Sequence, residues 1–146
     1  MKISTKGRYG MRAALELSLR YGLGPIMVRE ISESQDISER YLEQILNTLR
    51  TSGFVMSTRG AKGGYELARN PSEITLGDII RSLEGPLDVV ACTGKYECER
   101  MKKCATYYVW KEIKEIIEKM LNSITLEELV TRHHRLQNQI SIEYNI

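Results

Sequence analysis

The sequence predicts a mainly α chain, interrupted by one two-stranded hairpin and closed by a long C-terminal helix. Three observations predict it. Apolar residues recur at three- and four-residue spacing over nearly the whole length. A single glycine-rich stretch between two short β-prone runs breaks that period. The longest amphipathic stripe runs from about Thr106 to Ser123, roughly 27 Å of helix at 1.5 Å per residue. With 146 residues the chain has room for one domain with its own core, or for a small domain and an oligomerisation element.

The first helix covers residues 4 to 21, with Met11, Ala14, Leu15, Leu17 and Leu19 on a broad stripe, and the Gly22-x-Gly24-Pro25 breaker ends it. A short helix follows from about Val28 to Ser34. At Asp36-Ile-Ser38 the Ser38 hydroxyl can accept a backbone N–H as N-cap of a helix carrying Tyr41, Leu42, Ile45, Leu46 and Leu49, which stops at Gly53. Two short helices joined by a tight polar turn are the helix-turn-helix pattern, whose second helix is offered to the major groove. Phe54–Thr58 and Tyr65–Ala68 read as strands, and the tip Arg59-Gly-Ala-Lys62-Gly-Gly64 has the glycines a sharp hairpin requires. Directly after a helix-turn-helix, such a tip reads as a wing: its backbone can approach DNA while Arg59 and Lys62 reach phosphates or the minor groove. No Lys-Ser or Lys-Thr follows, so the glycines do not make a phosphate-binding loop.

Thr75-Leu-Gly-Asp78 opens the next helix, with Leu76, Ile79, Ile80 and Leu83, and Gly85-Pro86 stops it; Thr125-Leu-Glu-Glu128 caps the last one. Between them Val109, Trp110, Ile113, Ile116, Ile117, Met120 and Leu121 line one face, and Lys111, Lys114, Glu115, Glu118 and Lys119 cover the other. This stripe is the expected seam of a two-fold homodimer, because a DNA reader of one small domain gains affinity from two half-sites. The expected architecture is a winged helix-turn-helix with a small two-stranded wing and a long C-terminal dimerisation helix. Residues 1–86 form the DNA-binding region, 87–105 a cysteine loop, and 106–146 the dimerisation helix and C-terminal helix.

Twenty-one Lys and Arg against nineteen Asp and Glu give a formal charge of +2, too small to announce nucleic acid by itself. Distribution matters more: Lys2, Lys6, Arg8 and Arg12 fall in the first twelve residues with no acid among them. No apolar run approaches the ~18 residues of a membrane span, and the start lacks the apolar core of a signal peptide. The expectation is a soluble cytoplasmic protein with no membrane partner and no catalytic residues.

The cysteines carry the remaining chemistry. Cys92, Cys98 and Cys104 are the only three, spaced C-x5-C-x5-C in a polar segment that also holds Lys95, Arg100, Lys102 and Lys103. An odd number cannot all pair in internal disulfides. Thiolates are soft ligands for zinc, copper(I) or iron-sulfur clusters, and nearby cations lower thiol pKa and offset the charge of a thiolate-ligated site. Zinc-finger spacing fits poorly, since structural zinc favours cysteine pairs two to four residues apart. Three cysteines leave a tetrahedral metal one donor short. Tyr107 lies one helical turn past Cys104, Glu97 and Glu99 flank Cys98, and His133 and His134 sit on the last helix. Each is a candidate fourth ligand, as is an exogenous one.

Four pieces of the chain together resemble the IscR-type winged-helix regulators, the family that includes iron-sulfur, nitric-oxide-sensing and cysteine-metabolism repressors. They are Met1-Lys-Ile-Ser-Thr-Lys-Gly-Arg-Tyr9, Ser38-x-x-Tyr41-Leu-Glu43-Gln44, Arg59-Gly-x-x-Gly-Gly-Tyr65 and the C-x5-C-x5-C loop. The resemblance runs over essentially the whole length. It implies a homodimeric transcription factor that binds double-stranded DNA, with a [2Fe-2S] cluster, or alternatively [4Fe-4S], on the three cysteines. By position, Ser38, Arg40, Glu43 and Arg59 face DNA, and Tyr41 and Lys62 complete the candidate DNA-binding set. In the iron-sulfur members a histidine three residues after the last cysteine completes the ligand set, and this chain has Tyr107 there. The nitric-oxide sensors use an aspartate near the start of the partner chain, where this chain has Gly7-Arg8-Tyr9. The two alternatives to a cluster-sensing regulator are a cluster-free or zinc-containing thiol-sensing repressor of the same fold and a small iron-sulfur electron carrier.

Overall fold

Ser4 sets where the first helix begins. Its hydroxyl accepts the Gly7 N–H at 3.3 Å and caps α1, Thr5–Leu19. Glu84, far along the chain, adds a carboxylate to the same helix start, accepting from the backbone N–H of Ser4 at 2.9 Å and of Gly7 at 3.1 Å, and from the Ser4 hydroxyl. A negative group there satisfies otherwise orphaned N–H donors and complements the helix dipole. Gly7 and Gly10 make the approach possible: a Cβ on either would run into Glu84 or Leu83.

The computed structural model describes residues 1–96 and 98–146. After α1 come α2, Val28–Gln35, and α3, Glu39–Thr51. The turn between them uses Asp36 in the left-handed region at φ 52°, a conformation that Asp tolerates better than most side chains. Ser38 then caps α3 as its sequence predicts, accepting the Tyr41 N–H at 3.3 Å. Leu42, Ile45, Leu46 and Leu49 are all fully buried on one face of α3, each burial worth about 1.5–3 kcal/mol relative to exposure.

The wing is a hairpin of β1, Val55–Thr58, and β2, Gly64–Leu67, antiparallel with Val55 opposite Leu67 and Thr58 opposite Gly64. Its second strand is tied to the stretch before α2 by reciprocal bonds between Ile26 and Tyr65, both 2.8 Å. The sequence places the second strand one residue later, because Gly64 reads as turn rather than strand. A short 3-10 turn at Pro71–Glu73 leads to α4, Leu76–Glu84, which opens on the expected capping box: Asp78 N–H to Thr75 Oγ1 at 3.1 Å, and Thr75 N–H to Asp78 Oδ2 at 2.9 Å.

The loop after α4 contains two further 3-10 turns, Ala91–Thr93 and Met101–Lys103, and runs into α5, Ala105–Ser123. The last helix, α6, Leu126–Tyr144, equals α5 in length and packs along α1. Two bonds stitch the α5–α6 junction to the entry of α4, Leu76 N–H to the Ile124 carbonyl at 2.9 Å and Leu126 N–H to the Ile74 carbonyl at 2.8 Å. Leu126 is consequently fully buried in one cluster with Leu17, Ile31, Leu46 and Ile79. The architecture is the mainly helical winged helix-turn-helix with long C-terminal helices that the sequence predicts.

Candidate DNA-binding surface and cysteine loop

The turn at Asp36 and the cap at Ser38 aim the start of α3 away from the core. Its apolar face is consumed by packing, so Ser38, Arg40 and Glu43 are left exposed on the opposite side. Tyr41 behaves differently. It is half-buried, packed against the core, with its ring edge-on to Tyr9 at 6.0 Å between centroids. Arg12 caps that aromatic pair from α1, lying 5.3 Å from the Tyr9 ring centroid while bonding to the side chain and carbonyl of Gln35 at the end of α2. One of the four cations of the basic N-terminus thus braces the helix-turn-helix. Sequence reading had no signal for this second task of Arg12.

Arg59 and Lys62 are exposed at the wing tip, on the turn where Gly60 takes φ 109°, a conformation open to glycine. Arg50, from the last turn of α3, donates to Ser57 Oγ on β1 at 3.2 Å, so recognition helix and wing are held together by a side chain that the sequence did not single out. Buried Glu16 is another. From α1 its carboxylate accepts from Ser34 and Gln35, both at 3.0 Å, and pairs with Arg20 at 3.5 Å, anchoring the end of α2. A lone acid on an apolar helix face was the available signal.

Cys92, Cys98 and Cys104 are free thiols, all half-buried on the loop between α4 and α5. Cys104 is the N-cap residue of α5. A hydrogen bond with Thr106 Oγ1 at 3.2 Å pulls its thiol below the usual range, helped by the backbone N–H groups of Tyr107 and Thr106 and by the charge of Arg100. Of the candidate fourth ligands, Tyr107 is half-buried on the first turn of α5, edge-on to Tyr108 at 5.4 Å, and Glu99 is exposed. Glu97 lies outside the described residues. His133 and His134 are carried by α6, which runs along α1. Among the described residues no three His, Cys, Asp or Glu side chains gather into a metal-binding group. The donor chemistry suits a soft metal centre, three thiols with one already biased toward thiolate in basic surroundings, and the thiols must converge to use it.

The predicted seam on α5 resolves into two rows. Ile113, Ile117 and Leu121 are half-buried, with α5 packed on α4, whereas Val109, Trp110, Ile116 and Met120 are exposed. No residue of α5 is fully buried. Beside it lies an apolar groove of about 570 Å³ between α1, α4 and the α5–α6 junction, walled by Ile3, Met11, Leu15, Ile80, Leu121 and Leu129. None of the helices is long and apolar enough to cross a membrane, among the described residues.

Residues 3–132 match the model of the Rrf2 family, described as iron-dependent transcriptional regulators. The chain is 40% identical over 136 residues to the HTH-type transcriptional regulator IscR of Klebsiella pneumoniae, covering 93% of this chain and 83% of that one. It is 42% identical over 130 residues to IscR of Serratia proteamaculans, covering 89% and 79%. Among solved structures it superposes on CymR, the global cysteine regulator of B. subtilis, with TM-score 0.77 at 43% identity, over 90% of this chain and 98% of that one. T. potens IscR gives the same TM-score and identity over 94% and 91%. A regulator family removes the electron-carrier alternative and agrees with the expectation of no catalytic site. With its exposed recognition-helix start, its cationic wing tip and these likenesses, the chain belongs to the Rrf2 family of transcriptional regulators and is a DNA-binding protein, not an enzyme.

Proposed function

We propose that the chain acts in the cytoplasm as a homodimeric, sequence-specific transcription regulator that reports iron-sulfur cluster status through Cys92, Cys98 and Cys104. The observation that carries this is the cysteine loop itself: three half-buried thiols in a basic segment, joined directly to the helix with no buried residue. When bound, a [2Fe-2S] cluster, or alternatively a [4Fe-4S] one, would supply redox and ligand-exchange chemistry at the head of α5. The residues would supply three thiolates, with Tyr107, Glu97, Glu99, His133 or His134, or an exogenous ligand, as the fourth donor.

A second copy is the proposed occupant of the open apolar surface. Ile116 and Met120 stand exposed on α5, and the apolar groove between α1 and α4 lies open beside it. A second copy that covered both would remove these apolar faces from water. Dimerisation would then place two recognition helices and two wings on successive half-sites, with Ser38, Arg40 and Glu43 facing bases or phosphates and Arg59 and Lys62 entering from the wing. Tyr41 supports that surface from behind.

The hydrogen bond between Cys104 Sγ and Thr106 Oγ1 at 3.2 Å favours one second reading, a cluster-free or zinc-containing thiol-sensing repressor of the same fold. A visible absorption spectrum of protein purified without oxygen separates the two. A cluster chromophore that is lost on replacing any one of the three cysteines by Ser, accompanied by a changed DNA preference, supports the first reading. A colourless protein with wild-type DNA binding supports the second. Equal affinity for selected and random duplexes would defeat sequence-specific regulation altogether.

A further inference from the structure

We propose that Lys114 and Asp88 form a strap that holds the Cys92 end of the cysteine loop against α5, making Lys114 a positioning residue for the first thiol. Its purpose rests on the cluster reading above; its geometry does not. Lys114 Nζ donates to Asp88 Oδ1 at 2.7 Å and to the Thr93 carbonyl at 2.8 Å. One ammonium therefore gathers two points of the chain, one on each side of Cys92. Thr93 Oγ1 donates to the Val90 carbonyl at 2.8 Å and closes the turn between them. Gly94 leaves the room: a Cβ there would run into the Asp88 carboxylate.

The pair is sheltered, with side-chain exposures of 22% for Lys114 and 27% for Asp88. Its neighbour Lys111 is far more exposed at 54% and reaches Glu115 only at 3.8 Å along the same helix. Hydrogen bonding to Asp88 raises the Lys114 pKa, with smaller help from the charges of Asp88 and Glu118. At the other end of the loop Cys104 is itself the cap of α5. Both outer cysteines are thus referred to one helix, Cys104 as its cap and Cys92 through Lys114.

The test is the alkylation rate of each thiol in metal-free full-length protein, read by mass spectrometry with neutral iodoacetamide. Lys114→Met and Asp88→Asn should each speed Cys92 by about five- to tenfold, as expected when a charge-assisted bond that resists local opening is removed. Cys98 and Cys104 should change by less than about twofold on the same argument, and Lys114→Arg should restore Cys92. In cluster-loaded protein the same two substitutions should shorten chromophore lifetime under chelator. An unchanged Cys92 overturns the strap. So does a Cys92 slowed in Lys114→Met, since removing a cation without opening the loop only raises thiol pKa. So does equal acceleration of all three thiols with a lower Tm, which reports general loosening. A wild type without chromophore defeats the cluster reading instead, and the thiol rates still decide the strap.

Discussion

Helices α3 and α5 are both amphipathic and meet opposite fates. In α3 Leu42, Ile45, Leu46 and Leu49 are completely buried, whereas α5, although longer, buries no residue fully. The winged-helix body finishes its core within a single chain, drawing even Leu126 from the start of α6 into it. In α5 Ile116 is 67% exposed and Met120 61%. Amphipathic pattern reports that a face will be covered; only packing reports by what.

The largest expected effect breaks that contrast directly. Ile116→Glu should leave the Tm of dilute, monomeric protein unchanged, because the side chain is exposed there. If a second copy covers α5, the change buries an unpaired carboxylate and should weaken association by several kcal/mol. Light scattering across a concentration series reads it. A dimer indifferent to Ile116→Glu would move the interface elsewhere, and wild-type protein that stays monomeric at micromolar concentration would remove it.

The body should answer in the opposite way. Leu46→Ala empties a fully buried site, so unfolding free energy should fall by about 2–5 kcal/mol. Chemical denaturation at two protein concentrations checks that this loss does not depend on association. If Leu46→Ala and Trp110→Ala cost the same in dilute protein, the division between a finished and an unfinished region is wrong.

Most of the body was legible in the sequence because its devices are local. Ser38 and the Thr75–Asp78 box lie within three residues of the groups they cap, and the wing glycines lie in one hexapeptide. What stayed hidden joins distant residues: Glu84 on the start of α1, Glu16 on the end of α2, Lys114 on Asp88, and the stitch between Leu76 and Ile124. Glu84 and Lys114 read equally well as solvated surface, and the bond between Leu76 and Ile124 is backbone to backbone, which no side chain announces. The cysteine spacing announced soft-ligand chemistry, yet spacing carries no information about how the loop folds without its ligand.

Arg59 sharpens the comparison at the surface. Exposed on the wing, it should be removable at no cost to stability, while Arg59→Ala should lose about 1–3 kcal/mol of specific DNA binding and relax preference at one position per half-site. Lys62→Ala should weaken all sequences alike and flatten the salt dependence. Glu43→Ala should widen the set of bound sites, since a carboxylate can accept from cytosine N4 and is unfavourable opposite guanine. Selection from random duplexes separates the three, and an unchanged site profile for Glu43→Ala would make that residue an ordinary solvated charge.

The smallest effect tests whether the body's local caps add the stability assigned to them. Burial alone would raise the Asp78 pKa, but bonds from the Thr75 N–H and hydroxyl and the adjacent Arg81 guanidinium outweigh it, so the carboxyl sits below the ordinary value of 3.8. A depressed folded-state pKa means that ionised Asp78 stabilises the fold above the unfolded value, and that this contribution disappears as pH falls through the folded one. Asp78→Asn keeps the shape and one acceptor but loses the charge at the start of α4. It should cost about 1 kcal/mol at neutral pH, the usual scale of a helix cap, and the gap from wild type should close below the folded pKa. Thermal melts of both proteins from neutral to acid pH measure it. A gap that persists unchanged in acid would assign the loss to packing beside Arg81 rather than to the cap.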